Sequence, residues 1–135
     1  MKEKFKNIKL NFKKNQVILA YLFGSEVKGT SHKESDIDIG ILFDKKVNSK
    51  DYLKFEGILI ELFSKNFPLK EINIVNLNIA SPLLKQTVIL EGELIYAKNI
   101  TEKILFQIQT LHQYEDYLHL DNIYNHFLKL KLKAL

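Results

Sequence analysis

Short apolar runs separated by polar breaks organise this chain. Phe5, Ile8 and Phe12 recur at helical spacing, which predicts an amphipathic helix over residues 4–14 ending at Asn15. Val17 to Phe23 is continuously apolar and short, the pattern of a strand buried on both faces, and Gly24 stops it. Residues 26–35 are polar and make a connection, with a short helix able to open at Ser25. The next strand is Asp36 to Phe43, with Ile37, Ile39 and Leu42 as core side chains. Asp36 and Asp38 then share one face, because strand side chains alternate with a period of two.

After the turn at Asp44, the pattern predicts a helix over 49–67, with Leu53, Ile58, Leu59 and Leu62 facing inward and Pro68 closing it. Glu71 to Asn76 reads as a third strand. Ser81-Pro82 opens a helix whose apolar face is Leu83, Leu84, Thr87, Val88 and Leu90, and Gly92 ends it. Glu93 to Tyr96 is a short strand. Thr101 to Lys133 is helical, with a break expected near Asp121, which can cap a final helix. Tyr114, Tyr117 and Tyr124, with Leu111, Leu118, Leu120 and Phe127, leave two readings open: a helical cap on the core, or a docking surface.

At 135 residues, without an internal repeat or a low-complexity linker, the pattern describes one domain over 1–135. The chain has no cysteine, which removes disulfides and thiolate metal sites and fits a reducing compartment; the cytoplasm is the expected location. No apolar run approaches the roughly 20 residues that span a bilayer, and the first residues lead into no apolar signal core, so no membrane association is expected. The net charge is +4, but all 20 basic residues are lysines scattered among 16 acids. That argues against a nucleic-acid surface, where arginine's bidentate fork is favoured.

The candidate chemistry lies in Gly24-Ser25 followed, after ten residues, by Asp36-Ile37-Asp38. Backbone amides at a strand-to-helix turn can cradle phosphates; Gly24 lets the main chain approach closely, and Ser25 adds a hydroxyl donor. Two aspartates on one strand face repel each other when ionised, and a divalent cation relieves that repulsion. Mg2+ prefers a few carboxylate oxygens together with substrate phosphates and water, so Asp36 and Asp38 suit one or two ions bridging to a nucleotide.

These segments, Leu22-Phe23-Gly24-Ser25 and Ser35-Asp36-Ile37-Asp38-Ile39, resemble the signature of the minimal nucleotidyltransferases, small relatives of the polymerase-beta palm. Ile74 to Asn78 and Leu90 to Tyr96 are similar to the same family. The resemblance implies an α+β (α/β-like) fold: a small mixed β-sheet packed with helices, with a catalytic palm over 1–97 and a helical C-terminal tail over 98–135. It implies Gly24, Ser25 and Lys28 at the nucleotide phosphates, Asp36 and Asp38 on Mg2+, ATP as substrate, and transfer of AMP with release of pyrophosphate. Stand-alone members are implied to be antitoxins that pair with a HEPN-domain ribonuclease toxin and modify one of its tyrosines, in a homo- or hetero-oligomer. Base preference and stoichiometry are left open.

The chain departs from the family pattern in two places. Positions often held by arginines carry Glu26 and Lys28, so only Lys28 keeps the positive charge. In the third strand, Asn73 stands where a third catalytic carboxylate is expected, and an amide cannot take up the nucleophile's proton. Glu71 is either a substitute ligand reaching inward or a solvated residue at the strand start. The alternative function is therefore a weakened member of the family that neutralises its partner by occlusion. Two further readings concern histidines. His32 is a loop residue within reach of phosphate or simply exposed, and His112, His119 and His126 recur every seven residues. Seven helical residues rise about 10.5 Å, too far for one shared ion.

Overall fold

The computed structural model describes residues 8–24 and 36–134. Helix α1 (Lys9–Lys14) leads through Asn15 and Gln16 into strand β1 (Val17–Phe23), followed by β2 (Ile37–Phe43). A 3-10 turn (Ser49–Asp51) precedes α2 (Tyr52–Asn66), and then come β3 (Ile72–Asn76), α3 (Pro82–Glu91), β4 (Glu93–Ala97) and α4 (Ile100–Lys133). Strand and helix positions follow the sequence pattern closely.

Local chemistry sets the element ends. The Asn15 amide donates to the Asn11 carbonyl at 2.7 Å, and Gln16 adopts a left-handed φ of 61° that turns the chain into β1. Ser81 accepts from the Leu84 N–H at 3.2 Å to cap α3, with Pro82 in the first turn. Asn99 accepts from the Glu102 N–H at 2.9 Å to cap α4. The helix then runs without a break to Lys133; Asp121 accepts from the Asn125 side chain within it at 3.4 Å and caps nothing.

The four strands lie in the order β3-β2-β1-β4, with β1 antiparallel to both β2 and β4, and β2 parallel to β3. One face of the sheet, carrying Ile37, Ile39, Ile41 and Phe43, packs against α1 and α2. Phe12 of α1 sits between Phe63 of α2, at 5.7 Å between ring centroids, and Tyr96 of β4, at 5.1 Å. Full burial of side chains such as Phe12, Leu59 and Phe63 is worth about 1.5–3 kcal/mol each. The opposite face, with Leu19, Tyr21 and Leu42, packs against Leu77, Val88 of α3 and Phe106 of α4.

Two helix faces differ from expectation. Leu53 is 81% exposed, because α2 turns Tyr52, Phe55, Leu59, Leu62 and Phe63 to the sheet, a stripe rotated by one position. In α3, Leu83 and Leu90 are exposed, and the inner face is formed by Leu84, Lys85, Val88 and Ile89. The aromatic positions of distal α4 do not cap the core: Tyr117, Tyr124 and Phe127 are exposed, and so is every residue from 115 to 134.

Candidate active site

The site forms where β1 ends and β2 begins, on the sheet face shared with α3 and α4. The β1–β2 register places Phe23 opposite Asp38, so the residue after Phe23 lies beside that carboxylate. That residue is Gly24, at φ +85°, and a Cβ there would collide with Asp38 Oδ2. The close approach requires glycine on both counts, backbone conformation and space.

From the other side, the parallel β2–β3 register pairs Asp38 with Asn73. The Asn73 amide nitrogen donates to Asp36 Oδ2 and to Asp38 Oδ1, each at 3.3 Å. One neutral amide thus holds two like charges on a common face, Asp36 exposed and Asp38 half-buried. Gly24, Asp36, Asp38 and Asn73 are thereby brought together. Ser25, Lys28, Glu26 and His32 lie outside the described residues.

Glu71 stays exposed just before β3, where its backbone carbonyl accepts from the Ile37 N–H at 2.8 Å. Among the described residues nothing joins its side chain to the aspartates. Nor do three His, Asp or Glu side chains converge as a metal cluster among them, and His112, His119 and His126 are exposed along α4. Asp44 behaves as a turn residue, accepting from the Lys46 N–H at 2.9 Å.

The donor set fits a hard divalent cation in chemistry and in charge: two adjacent carboxylates, open on one side, with an amide in contact with both. Asp36 and Asp38 would supply the protein oxygens. Substrate phosphates and water would complete the coordination that Mg2+ requires.

The sequence pattern missed what lies on the same sheet face beyond α3. Gly40 lets α3 settle onto β2: a Cβ there would stand 3.2 Å from Val88 Cγ1 and 3.3 Å from Leu77 Cδ1. One helical turn before Val88, Lys85 is buried to 9% exposure and donates to Gln113 Oε1 of α4. Its position within an otherwise apolar stripe gave the only sequence signal.

A mixed four-stranded sheet whose two central strands bring a glycine turn against paired aspartates defines a nucleotidyltransferase palm. The polymerase beta nucleotidyltransferase family matches residues 6–101, and the chain belongs to that family. The chain is similar to Protein adenylyltransferase MntA of Shewanella oneidensis, with 29% identity over 97 residues. That alignment takes in 72% of this chain and 66% of the relative, just under two thirds of its length. Among solved structures, it is similar to a chain of a toxin–antitoxin complex with AMP-PNP, at 25% identity, a TM-score of 0.66 and 95% coverage of each chain. It shares the fold of a chain in the complex of tri-AMPylated Shewanella oneidensis HEPN toxin with MNT antitoxin. There the TM-score is 0.64 at 22% identity, covering 96% of this chain and 97% of that one.

Among the described residues no helix is long and apolar enough to cross a membrane.

Proposed function

We propose that this chain is a Mg2+-dependent protein adenylyltransferase that acts as an antitoxin, transferring AMP from ATP to a tyrosine of a HEPN-domain toxin. The observation that carries the reading is the Gly24–Asp38 contact with Asp36 and Asp38 side by side. A phosphate-holding turn and a cation-binding pair occupy one spot. The adenylyltransferase relative and the toxin–antitoxin complex with a bound ATP analogue support the substrate and the partner.

In this reading Gly24, Ser25 and Lys28 position the triphosphate, and Asp36 and Asp38 hold Mg2+, which would neutralise charge on the phosphates during in-line attack at the α-phosphorus. The acceptor oxygen bonds to that phosphorus and pyrophosphate leaves. In this reading Asp36 or Asp38 takes the acceptor's proton, since Asn73 has no basic oxygen to offer. Specificity in this reading comes from docking of the partner. The palm over 1–97 and the single helix α4 that follows it form one domain in this reading.

A second reading draws on one observation, the amide of Asn73 in the place of a third carboxylate: the chain neutralises its partner by occlusion, with little or no transfer. Incubation with Mg2+, labelled ATP and a HEPN-domain partner separates the two. Label on a partner tyrosine that disappears in Asp36→Asn and Asp38→Asn supports the transferase. A tight complex that stays unlabelled refutes it and supports occlusion.

A further inference from the structure

On the sheet face that carries the aspartates, but at the opposite end of β2, a cavity of about 320 Å³ lies between the sheet, α3 and α4. From Asp38 to Asp44 is six residues along the chain, so the two ends stand roughly 20 Å apart. The contact of Val88 and Leu77 with Gly40 lies between them. The volume sits at the lower end of the roughly 300–1,000 Å³ typical of small-molecule pockets.

Two groups in the wall of this cavity are unusual. Lys85 is nine-tenths buried, and the neutral Gln113 amide is its hydrogen-bond partner; no carboxylate pairs with it among the described residues. Thr110 is 1% exposed and its hydroxyl has no hydrogen-bond partner among the described residues. Burying an ammonium and an unsatisfied hydroxyl in the lining of one cavity costs free energy that apolar side chains at the same positions would avoid. Burial lowers the pKa of Lys85.

We propose that this cavity binds a small molecule with one oxyanion head, a phosphate monoester or a carboxylate, seated on Lys85 and Thr110. The rest of the lining refines the ligand. Asp44 and Glu102 also border the cavity, together with Lys45, and Asp44 lies 4.0 Å from Lys98. These rim carboxylates disfavour a compact polyanion and accept from hydroxyl or amino groups. Ile18, Leu42 and Phe106 supply an apolar wall. The ligand class is thus a small hydroxylated or aminated acid with a single anionic end. The site is independent of the transfer reaction, because it uses none of the residues near Asp38.

Binding is measured on the full chain by amide chemical-shift titration with glycerol 3-phosphate and, in a second arm, with lactate, each to millimolar concentration. Saturable shifts around Lys85, Thr110 and Gln113 with one probe identify the head group; shifts with both assign a general oxyanion site. Lys85→Met should weaken binding at least tenfold. Thr110→Val, which keeps shape, should weaken it severalfold, and Gln113→Glu, which supplies an internal carboxylate, should abolish it. Shifts confined to the Gly24 and Asp38 region, affinities unchanged in all three variants, or no saturable shift with either probe would overturn the proposal.

Discussion

The two ends of the sheet face beneath α3 and α4 solve opposite electrostatic problems. At one end, Asp36 and Asp38 are like charges held in contact by the Asn73 amide, with solvent access. At the other, Lys85 is a buried cation whose partner is also a neutral amide, that of Gln113. In both places an uncharged side chain occupies the spot where a counter-charge would be more favourable. The difference lies in burial: Asp36 is exposed and Asp38 half-buried, whereas Lys85 is nine-tenths buried.

The largest expected effect comes from the acidic end. Asp38→Asn or Asp36→Asn should lower AMP transfer by about 10²–10³-fold or more, measured as label on the partner, with circular dichroism confirming an intact fold. Asn73→Asp sharpens the same end. It supplies a proton acceptor and should raise transfer by about tenfold or more. It also places a third carboxylate beside the first two, so its thermal stability should rise with added Mg2+ more steeply than that of the unaltered chain. Equal Mg2+ dependence in the two proteins would show that Asn73 does not face the cation.

At the basic end the sign reverses. Lys85→Met should stabilise the protein by on the order of 1 kcal/mol in urea melts, since it removes a buried charge without a counter-ion. The pKa of Lys85 is lowered by burial, so below its ordinary value of 10.5 the unfolded chain binds more protons than the folded one. Stability of the unaltered chain should therefore rise as pH climbs through the depressed folded value toward 10.5, and Lys85→Met should flatten that rise.

Tyr21 gives the smallest effect. It is buried on the same face, its hydroxyl has no hydrogen-bond partner among the described residues, and burial pushes its pKa up to about 12 from 10.0. Between those two values the folded state holds the extra proton, so stability falls as pH rises. Tyr21→Phe should remove that alkaline loss and leave stability at neutral pH equal or higher by about 1 kcal/mol.

Much of this was legible because it is local. The Gly24-Ser25 and Asp36-Ile37-Asp38 pattern encodes a turn and a strand face, both set by near neighbours in sequence. The contact between Gly24 and Asp38 needed only the register of β1 with β2. The inner face of α3 was not legible, because Leu83 and Leu90 fit helical spacing as well as Lys85 and Val88 do. Which of them faces the sheet is decided by Gly40, some 45 positions away in the chain. Leu53 also fits helical spacing, but α2 turns Tyr52, Phe55, Leu59 and Phe63 to the sheet instead. The break expected at Asp121 rested on a capping residue alone, and a continuous run of helix formers overrides it.

Beyond residue 114, every described residue of α4 is exposed. Its last twenty or so residues extend about 30 Å, and an isolated helix of that length is only marginally stable in water. Amide protons should consequently exchange faster with each turn from Thr110 to Lys133, a graded fraying that any molecule gripping the helix would arrest.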